Sequence, residues 1–400
     1  MLRVLPRQVS MFDNANLSAA TSPAIAWPEA DQEGLQWVKD ARRLAPGLDS
    51  VLTWAFRAGA SRIAFQTGHS VWVGIHGRNY RVTKTPTDEM DFSQIVNHLY
   101  GADGMARLQG GTDFDTAYAI QIDRSTRLRF RLNATPTRTS RRDGGNIVLR
   151  PIADLPPSLE AQRVEPQILD NYRPREGIVI VSGATGSGKS TLIAGMTVAM
   201  LTDPDGHYNI VEGAAPVEFL LERVKGINST INQSEIPRDL PSFAAFVRGA
   251  MRREPTDIIV GECRDPETMG AAVQAAISGH SVKTTVHAED CPLTMQRVSS
   301  LLPPSERDNL LSAVAQAMRM IINQRLIPSV DGRRIAIREF LVLDPPLRNQ
   351  FLRTDAKDWP ALTRQAVNEN GQSYRKAIEN ALNARLITEQ TAANQLRQVA

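Results

Sequence analysis

Residues 183–190 read Gly-Ala-Thr-Gly-Ser-Gly-Lys-Ser, a match to G-x-x-x-x-G-K-[ST] that constrains the fold of this chain more than any other stretch. The residues before it, Gly177-Ile178-Val179-Ile180-Val181-Ser182, form an apolar, β-branched run that predicts a buried strand, and residues 191–200 predict a helix. Strand, loop and helix in that order suit a phosphate. Glycines let the backbone turn tightly enough to aim N–H groups at phosphate oxygens, and the helix start adds the positive end of its dipole. Gly183, Ala184, Thr185, Gly186, Ser187, Gly188, Lys189, Ser190 and Thr191 are therefore the expected cradle for ATP. Lys189 would reach the β- and γ-phosphates, and the Ser190 hydroxyl would hold Mg²⁺. An ordinary strand-to-helix turn ending in a solvated lysine explains the glycines but not Lys-Ser in register between the two elements.

At 400 residues the chain exceeds one typical core, so two domains with appendages are expected. Its 46 Lys+Arg nearly balance 43 Asp+Glu, and aromatics make up 6% of residues, so no basic stripe interleaved with aromatics supports direct nucleic-acid binding. The two cysteines, Cys263 and Cys291, belong to no C-x-x-C pair. They make neither a disulfide scaffold nor a zinc site, and they suit a reducing cytoplasm. The N-terminus lacks the apolar core of a secretion signal, and no apolar run approaches the roughly 20 residues that span a bilayer. The expected location is cytoplasmic, with any membrane association peripheral and through partners.

Residues 1–45 are weakly patterned and are expected to form a partly ordered arm. An α+β domain is expected over 46–152. A helix-like run at 51–56 stops at Gly59, and strands are predicted at 62–66, 70–75 and 79–82, the last two flanking His76-Gly77-Arg78. A helix at 92–99 and strands at 126–133 and 146–151 follow, with a basic, glycine-containing turn between those strands. The proline-rich stretch from Pro151 to Pro157 marks a linker, drawn at 153–165. From 166 to 344, strands at 178–182, 208–212, 257–261 and 282–286 alternate with helical patterns, which argues for an α/β domain with a mainly parallel sheet. Residues 345–400 read as a helical region, with helices at 359–367, 372–385 and 389–399 and Thr388 as an N-cap.

A nucleotide hydrolase needs a second carboxylate near the metal, and the end of a neighbouring strand is where open α/β sheets place it. Asp257-Ile258-Ile259-Val260-Gly261-Glu262 supplies Glu262 at such an end, as a Mg²⁺ ligand either directly or through a water. Glu212 and Glu218 lie just beyond another predicted strand, and spacing alone does not choose between them as the group that polarises water. His280 and His287 bracket the strand at 281–286, so both are candidates to reach the γ-phosphate.

Residues 178–287 resemble the secretion ATPases that drive type IV pilus retraction and type II and type IV secretion. Gly183 to Thr191 stands as Walker A, Pro216-Val217-Glu218-Phe219 as the end of an acidic box, and 232–239 (Asn-Gln-Ser-Glu-Ile-Pro-Arg-Asp) as the phrase before a helix at Ser242. Residues 252–268 resemble an atypical Walker B, and Ser278-Gly279-His280 through Thr284-Thr285-Val286-His287-Ala288 resemble the His box. Further out, 59–134 and 149–152 look like a PAS-like N-terminal domain, and Gln324-Arg325-Leu326-Ile327-Pro328 like the segment after the catalytic core. The phrasing at 100–104, 129–135 and 371–373 is most similar to the Dot/Icm and conjugative-plasmid branch.

The resemblance implies a RecA-like P-loop core in a homohexameric ring that hydrolyses ATP and docks on inner-membrane components of a secretion or conjugation apparatus. It implies Glu218 for water activation, His287 as the retained imidazole, and γ-phosphate cations from N-terminal-domain arginines, for which Arg131 and Arg150 stand at matching positions and Arg252 is a third candidate. Three departures stand out. Ala214 and Ala215 replace acidic residues, which leaves Glu218 with Glu212 as a substitute; Gly59-Ala60-Ser61-Arg62-Ile63-Ala64 loses two polar groups of a family phrase; and Ala288 follows His287. A pilus retraction motor, a RecA-like nucleic-acid translocase and a nucleotide-regulated scaffold without turnover are the competing readings.

Overall fold

The computed structural model describes residues 47–75, 78–123, 126–138, 143–152 and 155–398. The arm expected at 1–45, the turn at His76-Gly77 and part of the turn after Arg138 lie outside the described residues. Two compact units emerge, Met1–Asp154 and Leu155–Ala400.

In the first unit, α1 (Leu48–Arg57) leads into β1 (Arg62–Gln66), β2 (Trp72–Ile75) and β3 (Arg78–Arg81). Then come α2 (Glu89–Tyr100), α3 (Gly104–Gln109), β4 (Phe114–Gln121), β5 (Arg127–Arg138) and β6 (Asp143–Ile152). The strands form one antiparallel sheet in the order β3-β2-β1-β6-β5-β4. Period-2 alternation puts Ile63 and Phe65 of β1, Phe130 and Leu132 of β5, and Ile147 and Leu149 of β6 into one core with Leu48, Leu52, Phe92 and Ile95 of the helices. Asp88 caps α2 by accepting from Asp91 N at 2.7 Å, a start signal that fixes where the apolar stripe begins. Elements β4 and α3 were not expected from the sequence.

The second unit begins with α4 (Pro166–Asn171), β7 (Gly177–Ser182), α5 (Lys189–Leu201), β8 (Asn209–Ala214), β9 (Thr230–Glu235), α6 (Phe243–Ala250) and β10 (Asp257–Val260). It continues through α7 (Pro266–Ile277), β11 (Ser281–Val286), α8 (Cys291–Ser300), α9 (Arg307–Ala317), β12 (Met318–Pro328) and β13 (Arg334–Val342). Four helices close it: α10 (Pro345–Arg353), α11 (Trp359–Asn370), α12 (Tyr374–Asn383) and α13 (Glu389–Leu396). The seven-stranded sheet runs β13-β12-β7-β11-β10-β8-β9, parallel throughout except for the β12–β13 hairpin.

Every residue of β7, β10 and β11 is buried, as both-face coverage requires. Alternation splits β7 between two cores. Ile178 and Ile180 face a layer with Phe246, Val273 and Val314, while Val179 and Val181 face one with Leu192, Met196 and Ile168. A buried ion pair from Lys283 of β11 to Asp257 pins the start of β10 to its neighbour. At the far end of the β12–β13 hairpin, Ile327 and Ile337 pack with Tyr374 and Ile378 of α12 and with Ile387 between α12 and α13. No described helix is long and apolar enough to cross a membrane.

Candidate active site

The loop after β7 closes because its glycines occupy conformations that other residues resist. Gly183 has φ 143°, and a Cβ there would lie 2.4 Å from the Gln324 carbonyl and 2.6 Å from Ser187 Oγ. Gly188 has φ 85° and precedes the first residue of α5, with a Cβ position 2.8 Å from Gln324 Nε2. Both backbones thus press against β12, and the tip at Ala184, Thr185 and Gly186 stays exposed.

Lys189, the first residue of α5, is buried to 8% exposure. Its Nζ donates to the carbonyls of Gly183 at 2.8 Å and Ala184 at 2.9 Å, so the ammonium caps the acceptors of its own loop. Burial lowers its pKa, and the charges of Glu262 and Glu218 oppose that shift. Ser187 Oγ is buried without a hydrogen-bond partner among the described residues, while Ser190 is exposed and Thr191 uses its carbonyl to accept from Gln162 Nε2 at 3.2 Å. An orphaned hydroxyl, a glycine cradle that side chains would fill and a helix start with its lysine suit a polyphosphate.

Parallel pairing brings the acidic groups to the same sheet edge. Strand β11 lies between β7 and β10, with Val286 opposite Ser182 and Thr284 opposite Val260. The strand ends are tied by Thr285 Oγ1 donating to Gly261 O at 2.7 Å and Cys263 N donating to Thr285 O at 2.9 Å. Glu262 Oε1 then sits 3.1 Å from His287 Nε2, and its Oε2 sits 2.7 Å from an Arg264 guanidinium nitrogen. Asn323 of β12 donates to Ser182 Oγ at 2.7 Å and to Ala288 O at 3.0 Å, fastening the residue after His287 to the strand that carries the loop.

Glu212 lies half-buried on β8, and burial pushes its carboxyl up to about 7, against a hydrogen bond from Gln233 and with the Glu218 charge adding to the rise. Gln233 organises this side of the site. Its Nε2 also donates to Phe219 O at 2.8 Å, and its Oε1 accepts from Leu221 N at 2.8 Å, which fixes the segment that follows Glu218.

Within the second unit, His280 and Arg252 are not brought to the loop. His280 stands at the opposite end of β11, a strand of six residues and therefore roughly 20 Å away, where Nδ1 lies 3.3 Å from Pro255 O. The expectation that both histidines face the γ-phosphate fails because parallel strands put every carboxyl end on one side. Arg252 is exposed between α6 and β10, also on the amino-end side of the sheet. Arg131 and Arg150 face each other across β5 and β6, where Arg131 pairs with Asp115 at 2.7 Å and Arg150 is exposed.

Gln233, Gln324 and the fully buried Arg338 were not singled out as site residues from the sequence. Gln233 and Gln324 each sit inside a phrase that the sequence does mark, 232–239 and 324–328, while Arg338 has no local signal.

The family described as type II/IV secretion system protein matches residues 44–398. The twitching motility protein of Neisseria gonorrhoeae is 36% identical over 237 residues, 58% of this chain and 60% of that protein, so the match spans less than two thirds of that relative. The X-ray structure of the Legionella pneumophila ATPase DotB has a TM-score of 0.79 at 34% identity, covering 91% of this chain and 99% of that one. The crystal structure of the pilus retraction motor PilT with bound ADP has a TM-score of 0.73 at 26% identity, covering 87% of this chain and 96% of that one. With a family match over most of its length and a phosphate loop built as described, the chain belongs to the type II/IV secretion system proteins and is an ATPase of that family.

Proposed function

We propose that the chain forms a hexameric ring that hydrolyses ATP to ADP and phosphate and powers a type IV secretion apparatus of the Dot/Icm kind or a conjugative one. The observation that carries this reading is the likeness to DotB, higher than that to the PilT structure in both identity and extent. A pilus retraction motor is the second reading, favoured by the 36% identity to a twitching motility protein. The antiparallel first unit takes the part of a PAS-like domain, and partners at the inner membrane hold the ring on its cytoplasmic face. Direct nucleic-acid binding is not part of the proposal.

In this reading Gly183 to Thr191 hold the triphosphate, and Lys189 exchanges its loop carbonyls for β- and γ-phosphate oxygens. Ser190 and Glu262 would hold Mg²⁺, which when bound offsets the charge of the phosphates. Glu218 takes a proton from the attacking water as its oxygen bonds the γ-phosphorus; the bond to the bridging oxygen breaks, and its electron pair leaves with ADP. Glu212, with a carboxyl poised near neutrality, stands beside Glu218 as a second proton acceptor. His287 orients Glu262. Arg131, Arg150 and Arg252 are the proposed sources of positive charge for the γ-phosphate.

The test measures particle mass and ATP turnover together, with and without nucleotide. The expected outcome is a nucleotide-supported ring whose turnover falls on the order of a hundredfold or more in Lys189→Ala and Glu218→Gln. A strict monomer without turnover would sink the motor. Deleting the gene in its host separates the two readings: loss of substrate or plasmid transfer with twitching intact supports the first, and the reverse supports the second.

A further inference from the structure

Behind the phosphate loop lies a buried polar chain that nothing in the hydrolytic chemistry uses. Gln324 of β12, 2% exposed, donates from Nε2 to the Ser187 carbonyl at 2.7 Å. Its Oε1 accepts from Arg338 Nε at 2.8 Å. The two side chains are direct cross-strand partners, since Gln324 pairs with Arg338 in the β12–β13 register. Arg338 is fully buried, and three of its four remaining N–H groups go to Glu165 Oε2 at 3.0 Å, Arg163 O at 3.2 Å and Gln162 O at 3.1 Å. The other Glu165 oxygen accepts from Gln372 Nε2 at 3.2 Å, and that same amide also donates to Arg338 O at 3.0 Å.

Arginine offers only donors. Its Nε therefore forces the Gln324 carbonyl oxygen toward β13 and the amide NH₂ toward the loop, and the flipped amide would set donor against donor on one side and acceptor against acceptor on the other. The Ser187 carbonyl is thereby held toward β12. In a trans peptide the N–H of the next residue points opposite to that carbonyl, so the Gly188 N–H faces away from β12. The glycine at 188 belongs to the same device: a Cβ there would meet Gln324 Nε2 at 2.8 Å.

We propose that Gln324, locked in one orientation by Arg338, is a positioning residue for nucleotide binding: it fixes the Ser187–Gly188 peptide so that the loop presents its N–H to phosphate before nucleotide arrives. The proposal rests on the reading of 183–191 as the phosphate loop, and its test separates the two. Preorganisation lowers the ordering cost of binding, so its loss acts on affinity more than on the chemical step.

The experiment measures ADP affinity by titration of the full chain, the kcat and KM for ATP, and the nucleotide-free melting temperature for Gln324→Met, Gln324→Glu and Arg338→Lys. Gln324→Met removes donor and acceptor without adding charge; Gln324→Glu keeps a partner for Arg338 and turns an acceptor toward the Ser187 carbonyl. Both are expected to weaken ADP binding and raise KM about tenfold or more, with kcat changed far less. Arg338→Lys, which retains a charge for Glu165 but loses the lock, is expected to fall between them and the native chain. ADP affinity within twofold of native in Gln324→Met, while Lys189→Ala has lost binding, overturns the proposal and leaves the loop reading standing. Native affinity in Lys189→Ala as well overturns both. A lowered melting temperature with unchanged affinity in the folded protein makes Gln324 a packing residue only, and also overturns it.

Discussion

Glu212 is held where its charge is disfavoured, and that has a measurable consequence. Burial, with the nearby Glu218 charge, lifts its carboxyl from 4.5 to about 7, and Gln233 offsets only part of this. The folded state therefore binds a proton between those two values that the unfolded chain has released. Stability contributed by protonated Glu212 is full below pH 4.5 and is lost as pH rises through 7. Glu212→Gln mimics the protonated form at every pH. We expect it to match the native chain near pH 4.5 and to exceed it at pH 8 by on the order of 1–3 kcal/mol in denaturant unfolding, since the half-buried carboxyl keeps some contact with solvent. Equal stability at pH 8 would mean that Glu212 ionises normally. The two oxygens of Glu262 meet different partners, His287 Nε2 at 3.1 Å on one side and the Arg264 guanidinium at 2.7 Å on the other.

The loop is the element in which backbone strain and packing coincide. Gly183→Ala places a methyl 2.4 Å from the Gln324 carbonyl at a φ of 143°, and the clash is with backbone, which has no rotamer to escape through. Loss of ADP binding is expected, together with roughly 2 kcal/mol or more of stability from strain. Gly186→Ala has open space around its Cβ and pays only for its φ of 76°, so a smaller effect on both is expected. Native binding by Gly183→Ala would remove β12 as the wall of the loop.

Elements such as β7, β10 and β11 were legible because buried parallel strands are short β-branched runs with glycine or polar ends. The cap at Thr388 was legible too, its Oγ1 accepting from Thr391 N at 3.1 Å, and the helix expected at Ser242 starts there, with Ser242 Oγ accepting from Ala245 N at 3.1 Å. Strand β9 hid because Thr-Ile-Asn-Gln-Ser-Glu is a polar edge strand with little apolar signal. Strand β12 follows α9 with no glycine or proline between them, so the change of period has no punctuation. Missing the hairpin also hid Arg338, which only the register places opposite Gln324. Helix α10 carries ordinary start signals in the sequence, Asp344 as cap and proline at its first position.

In the proposed ring, the cation for each loop comes either from the loop's own chain or from a neighbouring copy. Within one chain Arg252 lies on the amino-end side of the sheet, whereas Lys189, Glu262 and His287 gather at the carboxyl end. A ring built from head-to-tail contacts sets one face of a subunit against a different face of its neighbour, which lets Arg252 serve a loop that its own fold keeps it from reaching. Mixing tests this. An Arg252→Ala subunit has an intact loop, and a Lys189→Ala subunit has an intact arginine, so their junction in the right order restores a complete site. In a one-to-one mixture about a quarter of junctions are of that kind, and turnover is expected to recover toward that fraction although each parent alone is inactive. The same mixtures with Arg131→Ala and Arg150→Ala assign those residues by the same logic. An Arg252→Ala parent with native turnover removes Arg252 from the site, and inactive parents that never recover on mixing, while mass measurement shows mixed rings, place the arginine and the loop it serves in the same chain.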